Sequence, residues 1–155
     1  MRKIAPCLWF DDNAEEAVNY YVSLFANSSI DKVMRWGDFS ENKGKVLAMD
    51  FTIEGRPFMA LNGGPHFKFS EAVSFFVECK DQAEVDMFWD KLTADGGAPS
   101  QCGWLKDRFG LSWQIVPARL MQLMHDPDAA KATRVTQAMM QMTKIDVATL
   151  EKAAA

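Results

Sequence analysis

The chain of 155 residues is 48% hydrophobic and 25% charged, an ordinary globular composition, and its net charge of -4 excludes a basic, phosphate-tracking stripe. Cys7, Cys79 and Cys102 form neither a CxxC pair nor a Cys/His zinc pattern, which points to free thiols in a reducing, cytoplasmic compartment. No apolar run approaches the roughly 18 residues of a membrane span, and the basic start is cut short by Pro6 and Asp11-Asp12, so no signal peptide is expected.

Residues 4–10 are a short apolar run, the pattern of a buried strand. Asp12-Asn13-Ala14-Glu15 follows it with the form of a capping box. Ala14, Ala17, Val18, Tyr21 and Phe25 then recur at helical spacing, and Asn27-Ser28-Ser29 stops the helix. Residues 30–36 read as a strand and 37–44 as a loop. From 46 to 53 the alternation is clear, with Leu47, Met49, Phe51 and Ile53 on one face. Glu54-Gly55 marks a two-residue hairpin turn, and residues 57–61 return as the partner strand.

Residues 60–69 hold the strongest punctuation in the chain, Gly63-Gly64-Pro65, and one of its two histidines, His66. Beyond this hinge the course repeats. Residues 73–79 are an apolar strand, and Asp81-Gln82-Ala83-Glu84 copies the first capping signature. Val85, Phe88, Trp89 and Leu92 make the helix face, and Gly96-Gly97 ends it. Residues 101–106 and 111–116 read as two short strands joined at Asp107-Arg108-Phe109-Gly110. Such self-similarity fixes the expected architecture. The predicted organisation is a single domain over 1–155: module one 1–62, hinge 63–72, module two 73–117 and a helical extension 118–155. In that extension Val135, Ala138, Met139 and Met142 form an apolar stripe, and the methionines are read chiefly as gap-fillers where appended helices pack.

The segments Pro-Cys-Leu-Trp-Phe at 6–10, Ala-Glu-Glu-Ala at 14–17, Ala-Leu-Asn-Gly-Gly-Pro-His-Phe at 60–67 and Phe-Gly-Leu-Ser-Trp-Gln at 109–114 carry a family resemblance. Tyr20-Tyr21, Cys-Gly-Trp-Leu-Lys-Asp at 102–107 and Met-Thr-Lys-Ile-Asp at 142–146 extend it over essentially the whole chain. The chain resembles the vicinal oxygen chelate superfamily of glyoxalases, bleomycin-resistance proteins and extradiol dioxygenases. Within it the chain is most similar to the PhnB-like branch, often labelled 3-demethylubiquinone-9 3-methyltransferase. The resemblance implies an α+β fold of two βαβββ modules forming a cupped mixed sheet, with helices outside. Metal-dependent members hold a divalent cation between modules, on first and last strands. Counting back from the helices places Pro6 and Ser74 at the first-strand positions, with Asn62 and Gln114 on the last strands. None is a carboxylate or imidazole, so no metal ligand is carried over.

The expected site is a metal-free cup lined from both halves, with Asn62, Ser74, Trp104 and Gln114 as ligand contacts and His66 and Cys102 as candidate catalytic groups. Alternation is expected to put Cys102 beside Trp104, and Gln114 with Ser112 and Val116. His66 can serve as a base or merely organise its turn, Cys102 as a nucleophile near Lys106 or a small buried hydrophobe. His125 is read as a helix C-terminal cap. No S-adenosylmethionine site is expected, because the first strand leads into Asp11-Asp12-Asn13 rather than a glycine-rich loop. No other cofactor is implied. Three functions stay open: a metal-independent small-molecule enzyme, a sequestering protein of the bleomycin-resistance type, and an interaction role through the methionine-rich helices. A homodimer is the expected assembly, because short sheets leave edges to cover.

Overall fold

The computed structural model describes residues 3–155, which divide into a first unit ending at Lys68 and a second running from Phe69 to Ala155. In the first unit, β1 (Cys7–Phe10), α1 (Ala14–Leu24), β2 (Ser29–Arg35), β3 (Val46–Ile53) and β4 (Arg56–Asn62) build a mixed sheet of order β1-β4-β3-β2. The β1–β4 pair is parallel and the other two are antiparallel. Leu8, Phe10, Met49, Phe51 and Ile53 are buried, as are Ala17, Val18 and Tyr21 of α1, which packs on β3 and β4, while Leu47 of the expected face is half-buried. Glu54 (φ 49°) and Gly55 (φ 73°) both take the left-handed conformation of a tight hairpin turn, which is why the pair ends in glycine.

The second unit repeats the course with β5 (Ser74–Cys79), α2 (Gln82–Thr93), β6 (Ala98–Pro99), β7 (Trp104–Lys106) and β8 (Ser112–Pro117). Its order is β5-β8-β7-β6, again with one parallel pair, β5 with β8. The fold is α+β: two four-stranded mixed sheets with helices. Three helices follow, α3 (Ala118–Met124), α4 (Ala129–Met140) and α5 (Val147–Ala154). They share a buried cluster of Val116, Leu120, Leu123, Val135, Ile145 and Leu150, against which Met121, Met124, Met139 and Met142 pack. The methionines there fill a core, while Met140 is exposed. His125 closes α3, its Nδ1 lying 2.7 Å from Met121 O.

Three expectations need correction. The strand expected over 101–106 begins only at Trp104, because Cys102 has φ 60° and belongs to a turn. Its partner on the far side, β6, was not expected, being two residues with no alternation to read. At α1 the capping box does not form: Asn13 caps without a side-chain bond, and Ala14 N donates to Asn62 Oδ1 from β4 at 2.9 Å. At α2 the acidic cap does form, with Glu84 N donating to Asp81 Oδ1 at 2.9 Å, while Glu84 Oε1 accepts at 3.4 Å from Lys80 N, one residue before the cap.

Candidate functional site

The second sheet separates its two faces cleanly. Leu105, Trp113, Ile115 and Cys79 are buried on the side where α2 packs. Trp113 is held there by its Nε1–H, which donates to Asp107 Oδ2 at 2.9 Å, and by an edge contact with Phe75 at 5.2 Å. Asp107 also accepts from Phe109 N and Leu111 N, so this buried carboxylate organises the β7–β8 connection.

The opposite face carries the polar residues. Register places Lys106, Ser112 and Ser74 in one row and Trp104, Gln114 and Phe76 in the next. Gln114 does share its side with Ser112 and Val116, and the C-terminal cluster covers the Val116 end. Gln114 Nε2 donates to Ser74 Oγ at 2.9 Å. That bond fixes the amide and leaves its oxygen facing outward from the pair. Ser112 is 0% exposed, and its Oγ has no hydrogen-bond partner among the described residues. A hydroxyl buried in that way costs about 1–3 kcal/mol. Ser112 also lines a groove of about 260 Å³, with Glu71, Ala98, Pro99, Trp104 and Lys106. Lys106 Nζ pairs with the Glu71 carboxylate, whose pKa the Lys106 hydrogen bond lowers.

Of the expected site residues, Ser74, Trp104 and Gln114 come together on this face. Cys102 does not join Trp104 on a strand face. Its backbone N donates to Met142 O at 2.8 Å, and its Sγ turns towards Met140 O at 3.8 Å, so the turn is clipped to the C-terminal extension. Asn62 belongs to the first unit and is committed on both sides of its amide: Oδ1 to Ala14 N, and Nδ2 to Val46 O at 3.1 Å. His66, also in the first unit, is exposed in a loop anchored by its neighbours. Trp9 Nε1 donates to Gly64 O at 2.9 Å, and the Trp9 ring meets Phe67 edge-on at 4.9 Å. Residue 63 must be glycine, since a Cβ there would sit 2.3 Å from the Trp9 ring. Burial pushes the Cys79 thiol up to about 12, and burial with the nearby Asp50 charge raises Cys7, so neither is a ready thiolate.

Sequence reasoning missed Glu71 altogether, and named Ser112 and Lys106 only as neighbours of Gln114 and Cys102, not as site residues. Their signal was available in the repeat, but the count across the helices slipped by one. β1 ends at Phe10 and α1 starts at Ala14, whereas β5 ends at Cys79 and α2 starts at Gln82. One extra connecting residue in the first unit therefore swaps the faces when positions are counted back from the helix. Pairing the strand ends instead, Phe10↔Asn62 with Cys79↔Pro117, makes Cys7 and Met59 the counterparts of Phe76 and Gln114. Ser74 and Ser112 then correspond to Ala5 and Pro57, not to Pro6. The polar row is thus peculiar to the second unit. The corrected positions Ala5, Met59, Ser74 and Gln114 still offer no carboxylate or imidazole, and this donor set does not fit a divalent cation. Among the described residues no three His, Cys, Asp or Glu side chains cluster as a cation would require.

Two mixed four-stranded sheets from a repeated strand-helix-strand-strand-strand course define the class as the vicinal oxygen chelate superfamily. The chain belongs to the PhnB-like family described as 3-demethylubiquinone-9 3-methyltransferase, whose match spans residues 2–116 and leaves α3–α5 outside it. The PhnB protein of Bacillus cereus, which carries that methyltransferase description, is 34% identical, with 76% of this chain and 100% of that one covered and a TM-score of 0.69. Protein PA1353 of Pseudomonas aeruginosa is 20% identical, covering 76% and 98% of the two chains, with a TM-score of 0.63. The fosfomycin resistance protein FosX of Listeria monocytogenes, solved with Mn(II) and sulfate, is 17% identical over 73% and 90%, TM-score 0.51, and shares the fold. No curated protein matches the chain.

Proposed function

We propose that the second unit binds a small organic molecule on the sheet face opposite α2, through Ser74, Trp104 and Gln114, with no metal ion taking part. The carrying observation is the Gln114–Ser74 bond, which orients a half-buried amide next to the Trp104 indole. An apolar wall with a few fixed polar atoms is the usual make-up of a small-molecule site. The first unit has Met59 and Ala5 at the matching places, which favours the second as the binding half. Binding without turnover is preferred, because the Cys102 thiol, the nucleophile expected there, turns to Met140 O instead. The methyltransferase description supplies no reaction here, since Asp11-Asp12-Asn13 after β1 offers no cradle for S-adenosylmethionine.

The test is a ligand-observed screen of small aromatic and heteroaromatic compounds. Hits should be lost in Gln114→Ala while the protein keeps its melting temperature within a few degrees, and should quench Trp104 but not a Trp104→Phe variant. Hits indifferent to Gln114, or turned over at a measurable rate, would sink this reading. Calorimetry with S-adenosylmethionine should be silent, and metal analysis of protein purified without chelator should find no stoichiometric cation. A homodimer is part of the proposal, as is a cytoplasmic location. The edge strand β2 is exposed along most of its length, and light scattering on the eluted protein reads the mass directly. Among the described residues no helix is long and apolar enough to cross a membrane.

A further inference from the structure

We propose that the groove beside β6 and β7 takes the carboxylate of a small aromatic acid, with the Glu71 carboxylate holding that place when no ligand is bound. This rests on the binding role just proposed for the second sheet and names its ligand chemistry. Three features of the groove carry it. Its wall of Ala98, Pro99 and the Trp104 indole is apolar and suits a flat ring. Beneath its floor lies the Ser112 hydroxyl, 0% exposed and without a partner among the described residues, a donor that becomes available to an anion once the groove opens by the small shift needed to reach it. Lys106 pairs with Ser112 in the same row of the sheet and also lines the groove. Lys106 is already paired with a carboxylate, that of Glu71 in the segment leading into β5.

The charge balance chooses among anions. Exchange of Glu71 for a ligand carboxylate replaces one negative charge by another on a single lysine. A dianionic phosphate would bring a surplus charge next to the displaced Glu71, since among the described residues lining the groove Lys106 is the single cation. The size agrees, since about 260 Å³ is below the range of drug-sized sites and fits one ring with a short substituent.

The experiment uses the whole chain with three probes of known charge: benzoate, benzyl alcohol and inorganic phosphate, read by calorimetry and tryptophan fluorescence. Benzoate should bind about tenfold more tightly than benzyl alcohol, and phosphate should not bind. Lys106→Met should erase that preference. Glu71→Gln, which removes the competing carboxylate but keeps the shape, should tighten benzoate by about threefold. Ser112→Ala should weaken it while leaving the melting temperature in place. A merely structural ion pair would give the opposite result with Glu71→Gln, namely unchanged or weaker binding, and that overturns the inference even if Lys106→Met fails to fold. Benzoate and benzyl alcohol binding equally, both dependent on Gln114, would also overturn it and leave the broader binding role standing. If no hit from the screen depends on Gln114, the broader role falls as well.

Discussion

The two units follow the same strand-helix-strand-strand-strand course and secure it at different points. In the first, the β3–β4 hairpin closes on two residues in left-handed conformation, Glu54 and Gly55, whose backbone N–H groups donate to Ser28 Oγ at 3.3 Å and to Asn27 O at 3.0 Å. In the second, the matching β7–β8 connection is longer and is held by the buried Asp107 carboxylate. Their helix starts differ in the same sense. α2 is capped by its own Asp81, whereas α1 relies on Asn62, which lies 48 residues further along the chain. Both joints of the second unit therefore rest on side chains close in sequence, Asp107 and Asp81, whereas those of the first lean on residues 26 and 48 positions away. Identical sequence signatures do not guarantee identical joints, because one extra residue between strand and helix is enough to move the cap.

The sharpest way to break this comparison is at Asp107. Asp107→Ala leaves Trp113 Nε1 and Leu111 N buried without their acceptor. At roughly 1–3 kcal/mol for each orphaned group, the expected loss is about 3–4 kcal/mol, read by urea unfolding. A loss below 1 kcal/mol would show that the turn holds itself without the carboxylate.

Gly63→Ala comes next. The added methyl would lie 2.3 Å from a Trp9 ring that is tethered by its bond to Gly64 O, so the ring cannot simply swing away. Overpacking of this kind costs about 1–3 kcal/mol. Tryptophan fluorescence should shift in step with the loss, and a Trp9→Leu background should remove most of it.

Much of this was legible in the sequence, for reasons that particular residues show. Strand β3 and helix α2 were readable to the residue or nearly so, because alternation and an acidic cap are short-range signals. The turn at Cys102 was not, since a cysteine at φ 60° gives no local sign and is held by Met142 and Thr143 of the distant extension acting on Cys102 and Gly103. Strand β1 is shorter than the apolar run from Ile4 suggested: only from Cys7 does the chain pair with β4 as a strand, and Ile4 is 85% exposed. At the candidate site, alternation correctly grouped Gln114 with Ser112. Lys106 was read only as a charge near Cys102 and Glu71 escaped notice, because a surface lysine and a loop glutamate have no periodicity, and only the folded sheet brings them to the groove.

A smaller effect sharpens the contrast between the helix starts. Asn62→Ala removes the acceptor for Ala14 N and the donor to Val46 O, and should cost about 1–2 kcal/mol. Asp81→Ala removes one local cap and should cost about 1 kcal/mol. Hydrogen exchange separates the two: the first change should expose amides in both α1 and β3, the second only the first turn of α2. Equal and local exchange in both variants would contradict the long-range joint.

The smallest expected effect bears on what the second unit keeps its polar row for. Ser112→Ala takes away a buried hydroxyl that has no partner among the described residues, so no bond is lost and a desolvation cost is relieved. Stability should stay level or rise by up to about 1 kcal/mol, seen as a melting temperature unchanged or a few degrees higher. The matching place in the first unit is Pro57, which has no polar side chain at all, so the fold itself does not ask for a hydroxyl there. A position where the polar residue costs stability and the repeat does without it is better explained by what it binds than by what it holds together. If Ser112→Ala instead destabilises by 2 kcal/mol or more, well beyond the level expected for an unbonded hydroxyl, the residue serves the core and that argument fails.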